Sequence, residues 1–252
     1  MTTLITGASS GLGAEMARQL ADRGHDLALC ARRTERLEEL RDELLAAHPG
    51  RRVEIRALDV TDHDAVFAVV RDFAETLGRL DRVVVNAGVG AGAPLGTGGF
   101  DANRETATTN FVAALAQVEA AMEVFRAQGG GHLVMVSSMS AMRGMPRSMT
   151  TYAATKAGVA HLVEGLRAEF YGKDSYRFTV LYPGYIASEM NDGPEGGAAS
   201  RNRMMVPTGK GVAAMVTAME KERGSACVPP LPWAPLSVVL KHAPLAVVRR
   251  LI

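Results

Sequence analysis

Residues 2–13 read TTLITGASSGLG, a short apolar run followed by glycines spaced Gly-x-x-x-Gly-x-Gly. Gly7 allows a sharp turn, Gly11 lets the backbone approach a bound pyrophosphate, and Gly13 permits close packing of a helix on a strand. The N–H groups at the start of that helix bind anions. No Lys-Ser or Lys-Thr pair follows, so this is not a nucleotide-hydrolysing P-loop. The stretch predicts the first strand–turn–helix of a dinucleotide-binding fold.

The alternation of short apolar runs with helical periodicity continues along the chain. Strands are expected at 2–6, 26–31, 52–58, 81–86, 132–137, 176–182 and near Ser225–Val228. Helices are expected at 12–23, 34–47, 62–77, 101–127 and 152–171. Nearly continuous apolar strands are typical of a sheet covered on both faces, and strand–helix–strand units cross over with a right hand. The sequence therefore predicts an α/β doubly wound parallel sheet of the Rossmann type, a single domain over residues 1–252, with strand order 3-2-1-4-5-6 and a seventh strand.

The composition excludes several classes of protein. The 252 residues are 47% hydrophobic, and 28 Lys and Arg balance 27 Asp and Glu. This balance excludes a basic nucleic-acid surface, and the hydrophobic content excludes disorder. Cys30 and Cys227 are predicted to be buried, reduced thiols, and no metal site is predicted. The first strand follows Met1 without room for a signal peptide, so a cytoplasmic location is expected.

The end of the second predicted strand points to the type of dinucleotide. It reads Leu29-Cys30-Ala31-Arg32-Arg33, and no acidic residue occurs there. NAD sites place a carboxylate at this corner, whereas an Arg accommodates the 2′-phosphate of NADP. Arg32, with Arg33 behind it, therefore predicts NADP(H) as cofactor. The absence of an acid also weighs against a methyltransferase, and the alternative is a solvated charge pair at a helix start.

Two further motifs carry candidate catalytic groups. Tyr152 and Lys156 are four residues apart in a predicted helix and share one face. An ammonium group and an oxidised nicotinamide both favour the phenolate of a nearby tyrosine. Tyr152 could then act as general acid in carbonyl reduction or as base in alcohol oxidation. Ser137 and Ser138 end the fifth strand at the carboxyl edge, where open α/β sheets bind ligands.

Taken together, these motifs resemble the short-chain dehydrogenase/reductase family over residues 2–190. The resemblance implies that Ser138 donates to the substrate oxygen, that Lys156 also holds the nicotinamide ribose, and that Asn110 supports Lys156 through water. One departure concerns spacing, because the family usually places the tyrosine thirteen positions after this serine, and here it stands fourteen positions after. Met139 occupies the usual position, and we assign the extra residue to the loop between Pro146 and Tyr152. Ser140 is the less favoured substitute. The motifs that carry the resemblance are Thr6–Gly13, Asn86-Ala87-Gly88, Asn110, Ser138 and Tyr152-Ala153-Ala154-Thr155-Lys156.

The resemblance also implies the cofactor contacts and the mode of assembly. Asp59 and Val60 are expected at the adenine, and Asn86, Ala87 and Gly88 beside the ribose. The family usually has Thr near Ser188. Relatives associate through the helices predicted here at 101–127 and 152–171, so a homodimer or homotetramer is expected. The remaining contacts expected with the dinucleotide come from Gly7, Ser9, Ser10, Gly11, Leu12, Gly13, Tyr152, Lys156, Pro183, Gly184, Ile186 and Ser188.

Two segments bear on the substrate and on partners. Residues 189–210 are predicted to form a substrate lid. The tail at 229–252 mixes basic and apolar residues. It could lie on an anionic membrane surface or pack on a second subunit. Of these two, we favour the second subunit. Methionine makes adaptable apolar walls, and seven methionines predict a pocket for a bulky apolar carbonyl or alcohol of steroid, retinoid or fatty-acyl type. They are Met139, Met142, Met145, Met149, Met190, Met204 and Met205.

The sequence thus predicts an NADP(H)-dependent oxidoreductase that transfers a hydride between nicotinamide and a carbonyl or alcohol of a small apolar molecule. A 3-ketoacyl-(acyl-carrier-protein) reductase is the main alternative. Sugar epimerases, dehydratases and enoyl reductases fit the spacings less well. An alternative of another class is an NADP-binding sensor without catalysis, although the set of Ser138, Tyr152 and Lys156 argues against it.

Overall fold

The computed structural model describes residues 1–90, 92–188 and 204–249. Its seven strands form one parallel sheet with the order β3-β2-β1-β4-β5-β6-β7. This confirms the predicted fold class, the strand order and the seventh strand. The strands are β1 (Thr2–Thr6), β2 (Asp26–Ala31), β3 (Val53–Ala57), β4 (Arg82–Val85), β5 (Gly131–Val136), β6 (Tyr176–Pro183) and β7 (Ser225–Val228).

Helices cover both faces of this sheet and bury its apolar side chains. One core lies beneath α3, α5 and α6, and contains Phe73 and Phe125. The other lies beneath α1, α2 and α7, and contains Met16 and Leu20. Both cores contact the strands, which explains why the strands are apolar along their whole length. The helices are α1 (Gly11–Asp22), α2 (Thr34–Ala47), α3 (His63–Leu77), α4 (Phe100–Ala107), α5 (Ala113–Gln128), α6 (Met149–Glu169), α7 (Thr208–Glu220), α8 (Pro230–His242) and α9 (Leu245–Val248).

The structure departs from the predicted helices in three places. The helix predicted at 101–127 consists of α4 and α5 joined by a π-helical turn at Thr108–Val112. The helix predicted at 152–171 begins three residues earlier, and the proline-rich tail contains two helices. Of the predicted lid, residues 189–203, which include Met190, lie outside the described residues, and the part from 208 onward belongs to α7.

A network of charged and polar groups is buried at the amino end of the sheet. Arg82 is 1% exposed; its Nε donates to Nδ1 of His132 at 3.0 Å and its Nη1 donates to Glu220 at 2.6 Å. The other ring nitrogen of His132 lies 2.8 Å from the Thr179 hydroxyl. Burial, and then the charge of Arg82, lower the pKa of His132 to about 3. His132 is therefore neutral at physiological pH, and this protonation state lets Nδ1 accept from the guanidinium.

The two thiols are free. Cys30 is buried as predicted, and burial raises its pKa to about 12, whereas Cys227 is only half-buried. Within the described ranges, each helix is too short or too polar to cross a bilayer.

Candidate active site

A cavity of about 410 Å³ runs along the carboxyl ends of the strands, from the turn after β1 to the end of β6. Its volume lies within the range of small-molecule sites. Ser138, Tyr152 and Lys156 line it, as does every residue predicted to contact the cofactor. Asn110 does not line this cavity, although its neighbour Thr109 does. The predicted contacts that line it are Gly7, Ser9, Ser10, Gly11, Leu12, Gly13, Arg32, Arg33, Asp59, Val60, Asn86, Ala87, Gly88, Tyr152, Lys156, Pro183, Gly184, Ile186 and Ser188.

The glycine turn is held rigidly against the end of β4. Gly7 has a φ of +64°, and a Cβ added to it would lie 2.9 Å from the Cα of Ala87. A Cβ at Gly13 would collide with the carbonyl oxygen of Gly7. The Thr6 hydroxyl accepts from the backbone N–H groups of Asn86 and Ala87, both at 3.1 Å. Only glycine fits this close approach, which leaves the start of α1 open to the cavity.

The two arginines after β2 occupy different places. The guanidinium of Arg33 reaches over the glycine turn and donates to the hydroxyls of Ser10 at 2.5 Å and Ser9 at 3.4 Å. Arg32 lies near Asp59, whose pKa is lowered first by hydrogen bonds from Thr61 and to a smaller extent by the charge of Arg32. The sequence placed Arg32 in front and Arg33 behind it, whereas Arg33 is the residue that joins the turn. Arg33 is the residue directly before α2.

Lys156 and Tyr152 lie side by side at the other end of the cavity. The Lys156 ammonium donates to the carbonyl oxygen of Val136 at 3.1 Å and lies 5.7 Å from the centroid of the Tyr152 ring. Burial lowers the pKa of Lys156 to about 8. Burial also raises the pKa of Tyr152, against a smaller lowering by its hydrogen bond with Ser138. The expected phenolate is therefore not favoured in the chain alone, because loss of hydration outweighs the lowering by Ser138.

The neighbouring serines at the end of β5 have separate surroundings. The Ser137 hydroxyl donates to the carbonyl oxygen of Lys156 at 2.7 Å and is buried. The Ser138 hydroxyl accepts from the backbone N–H of Ser140 at 3.2 Å and lies close enough to Tyr152 to lower the pKa of the phenol. Ser138 and Tyr152 thus meet despite the extra residue between them. Arg147, inside the loop to which that residue was assigned, adopts a left-handed φ of 58°. The side chain of Ser140 is buried and does not line the cavity.

Asn110 acts on the backbone beside the cavity. It sits in the π-helical turn, where its Oδ1 accepts from the N–H of Val89 at 2.8 Å and its Nδ2 donates to the carbonyl of the same residue at 3.0 Å. A Cβ added to Gly88 would lie 3.0 Å from Asn110 Oδ1 and 3.5 Å from Lys156 Nζ. Asn110 and Lys156 therefore flank Gly88, and no side chain at that position blocks the space between them.

Asn103 is a residue that the sequence analysis missed. It is buried, and its Oδ1 accepts from the Thr151 hydroxyl at 2.8 Å and from the backbone of Ala93 at 3.2 Å. Its Nδ2 donates to the carbonyl of Gly99 at 3.3 Å. The Asn103 amide therefore links α4, the segment that contains Ala93 and Gly99, and the turn of α6 that carries Tyr152. The sequence contains no motif around Asn103 that signals this role. The cavity-lining residues that the sequence also did not indicate include Leu58, Thr61, Glu105 and Thr109.

The methionines do not form the predicted wall of this cavity. Met139 is buried against Trp233 and Leu240, and Met142 packs on the same cluster. Met204 is 39% exposed. Among the six of the seven methionines that the structure describes, none lines the cavity. Met139 and Met142 nevertheless follow Ser138 directly in the chain and form a short 3₁₀ turn beside it.

Comparison with known proteins agrees with this arrangement. Residues 1–195 match the profile of the family described as short chain dehydrogenase. Rv0945, an uncharacterized oxidoreductase from Mycobacterium tuberculosis H37Rv, is 49% identical over 247 residues, which are 98% of this chain and 95% of that protein.

Two solved structures illustrate the likeness in fold. A short-chain dehydrogenase from Sphingobium yanoikuyae in complex with NADPH is 28% identical, with a TM-score of 0.83 over 98% of this chain and 94% of that one. A short-chain dehydrogenase/reductase from Burkholderia phymatum in complex with NAD has the same TM-score of 0.83 over 94% and 91% of the two chains. It is 22% identical, so it shows the fold alone. With the family profile and the Mycobacterium relative, the seven-stranded sheet identifies this chain as an oxidoreductase of the short-chain dehydrogenase family.

Proposed function

We propose that this protein is an NADP(H)-dependent reductase that converts the carbonyl of an apolar small molecule to an alcohol. The observation that carries the proposal is the convergence of Ser138, Tyr152 and Lys156 at one end of a cavity whose other end is the glycine turn capped by Arg33. A hydroxyl, a phenol and an amine suit proton transfer to oxygen, and a glycine turn at a helix start suits a diphosphate.

The residues present fit a nicotinamide dinucleotide. The open start of α1 would receive the diphosphate, and Gly88, without a side chain between Asn110 and Lys156, would leave room for a ribose. Arg33 and Arg32 would hold a 2′-phosphate, because guanidinium groups bind phosphate oxygens in pairs. When bound, the nicotinamide supplies the hydride for reduction. The NADPH-bound Sphingobium relative supports NADP, and the missing acid after β2 supports it independently.

The protonation state of Tyr152 is compatible with the proposed reduction. Because the pKa of Tyr152 is raised, its hydroxyl keeps the proton at neutral pH and can give it to a carbonyl oxygen. The Ser138 hydroxyl, bonded to Tyr152, would donate a second hydrogen bond to the same oxygen. Lys156 is charged below about pH 8 and would stabilise the phenolate that remains after transfer. Tyr152 is thus the acid, Ser138 orients the carbonyl, and Asn110 keeps the adjoining backbone in place.

The apolar turn beside Ser138 supports the proposed substrate class, although the methionines in that turn do not line the cavity. Met139 and Met142 pack with Trp233 next to the candidate catalytic hydroxyl, which favours an apolar substrate of steroid, retinoid or fatty-acyl type. Assays with such ketones, compared with acetoacetyl thioesters, separate this proposal from a 3-ketoacyl-(acyl-carrier-protein) reductase. We also propose a cytoplasmic homodimer or homotetramer that associates through the α4–α5 segment and α6.

The test of the reaction is Tyr152→Phe, which removes the proton donor and keeps the ring. The expected result is a fall in kcat of about 10³-fold with NADPH affinity unchanged within about threefold, measured by steady-state assay and fluorescence titration. Tyr171→Phe is the matched control, since Tyr171 is 90% exposed, and it should keep full activity. If Tyr152→Phe turns over normally, or the unmodified protein binds NADPH but reduces no carbonyl in the panel, the enzyme assignment is wrong and the sensor alternative gains support.

The test of cofactor choice is Arg33→Ala beside Arg32→Ala. A hydrogen bond to a charged group contributes about 1.5–3 kcal/mol, so Arg33→Ala should weaken NADPH binding about 10- to 100-fold. The affinity for NADH, which lacks the 2′-phosphate, should change little, and it reports any general disturbance of the glycine turn. Arg32→Ala should have the smaller effect. An equal fold loss of affinity for NADPH and for NADH would refute the assignment of the phosphate site.

A further inference from the structure

The helices α8 and α9 leave an apolar surface exposed. Leu231, Val238, Leu245 and Val247 are 75%, 59%, 62% and 47% exposed. On the same two helices, Trp233, Leu240 and Val248 are buried against the 3₁₀ turn after Ser138. The inward side chains already secure the helices to the domain, so the exposed ones have no role in that packing. We name Leu231, Val238, Val239, Leu245 and Val247 the tail face.

The charge around the tail face has one sign. After Glu222 the chain has no Asp or Glu, and it carries Arg223, Lys241, Arg249 and Arg250. Lys241, His242 and Arg249 are exposed on α8 and just beyond α9. All 27 acidic residues of the chain therefore lie before the tail, although the whole protein is nearly neutral. Exposed apolar side chains with cations as the only charged groups of the tail match a membrane surface, where anionic head groups cover apolar chains.

We propose that the tail face binds peripherally to an anionic membrane surface. The 13 residues of α8 are too few to cross the roughly 20-residue thickness of a bilayer, so the helix would lie in the interface. A second copy of the chain is the weaker candidate, because a two-fold contact would bring Lys241 and Arg249 of both copies together with no acidic residue in the tail to pair with them. The tail face therefore favours a membrane over the second subunit that the sequence favoured.

The tail face adjoins the candidate active site. Trp233 packs directly on Gly184, which lines the cavity, and its ring meets that of Tyr185 edge-on at 5.3 Å. Tyr185 is itself 42% exposed. Binding through the tail face would therefore hold the substrate end of the cavity close to the lipid, where apolar carbonyl compounds concentrate. This last consequence rests on the proposed function, whereas membrane binding itself does not.

The test is flotation of the full chain with vesicles of phosphatidylcholine alone or with about one third phosphatidylglycerol. The protein should float only with the anionic vesicles, and raising NaCl from about 50 mM to about 500 mM should release it. Each cation near an anionic surface contributes about fivefold to binding, so Lys241→Gln with Arg249→Gln should lower the partition coefficient about 25-fold. Leu245→Ser with Val238→Ser should abolish flotation with all charges retained.

Matched controls remove the same groups elsewhere. Arg71→Gln with Lys173→Gln lowers the net charge equally at exposed positions, and Tyr171→Ser removes an exposed aromatic ring from the end of α6; both variants should float like the parent. Failure of the parent chain to float, or equal loss in controls and tail variants, would overturn the proposal. The proposal would also be overturned if sedimentation showed that the tail variants dissociate an oligomer and if the vesicles bound no protein. Tyr152→Phe should float normally, so a failed reaction test and a failed membrane test are distinguishable.

Discussion

Buried polar groups lie at both ends of the sheet, and those at the carboxyl end border a cavity. At the amino end, Arg82 and His132 are buried, and each binds to partners inside the chain. At the carboxyl end, Lys156 and Tyr152 are also largely removed from water, yet they border a cavity of about 410 Å³. The amino end closes the fold, whereas the carboxyl end leaves polar groups available to a ligand.

This difference separates structural from functional polarity. A buried charge with complete hydrogen bonding has no capacity left for a substrate, and its removal costs folding energy. A charge beside a cavity has partners on one side only, and its removal affects what enters the cavity. The pKa values reflect this contrast, since burial holds His132 neutral to about pH 3 but leaves Lys156 able to titrate at about pH 8.

The largest expected effect is a loss of stability when the buried network at the amino end is broken. Arg82→Met should lower the free energy of unfolding by about 3 kcal/mol, because Glu220 and His132 lose their shared donor. Urea denaturation measures this change, and kcat should stay within about twofold. Arg18→Met is the control, since Arg18 pairs with Glu43 at 2.7 Å but is 41% exposed, and it should cost less than about 1 kcal/mol. If the two variants lose equal stability, the amino end has no special structural role.

A smaller effect is expected from removing the hydroxyl of either of the adjacent serines, Ser137 or Ser138. Ser138→Ala should lower kcat about 10²-fold, because its hydroxyl faces Tyr152 at the cavity, and loss of its bond from Ser140 should lower the free energy of unfolding by no more than about 1 kcal/mol. Ser137→Ala should lower the free energy of unfolding by about 1 kcal/mol and change kcat less than about fivefold, because its hydroxyl bonds to the backbone of Lys156. Parallel denaturation and steady-state assays check both. Reversal of the two outcomes would show that Ser137 is the group that meets the substrate.

The smallest effect is a pH dependence at the carboxyl end. Lys156 carries its charge below its pKa of about 8 and loses it above. If that charge stabilises the phenolate, kcat/KM for reduction should fall about tenfold per pH unit above pH 8. Tyr152 has a raised pKa and cannot cause a fall there. Lys156→Arg keeps the charge, so its slower reaction should stay level across this range. A flat profile for the parent, or the same inflection in the variant, would contradict this role.

Most of the fold could be predicted from the sequence because glycines and apolar runs mark the elements locally. The π-helical turn could not, since Thr108–Val112 contains no helix-breaking residue. Its register is set by the bonds of Asn110 to Val89, a residue about twenty positions earlier. The helix α8 was missed for the opposite reason. Its prolines argue against a helix, but packing of Trp233 and Leu240 on the domain secures it.

The sequence predicts which residues belong to the candidate site better than it predicts how they are arranged. Tyr152 and Lys156 were indicated by their spacing and Ser138 by the resemblance to the family, and the structure brings all three to one cavity. The contacts of Arg33 with Ser9 and Ser10 depend on side-chain geometry, which spacing does not indicate. Asn103 acts only through contacts with segments distant in sequence, so a single chain gives no signal for it.

The hydroxyl of Thr6 uses its whole bonding capacity at the corner where β1 meets β4. It accepts from two successive backbone N–H groups and donates to the carbonyl oxygen of Val84 at 3.4 Å. The Asn86 amide adds a bond to the carbonyl of Thr6 at 2.9 Å. The turn proposed to receive a diphosphate is thus already fixed by bonds within the chain. Association should then proceed in a single kinetic phase whose rate is governed by diffusion and charge, without a preceding rearrangement of the turn.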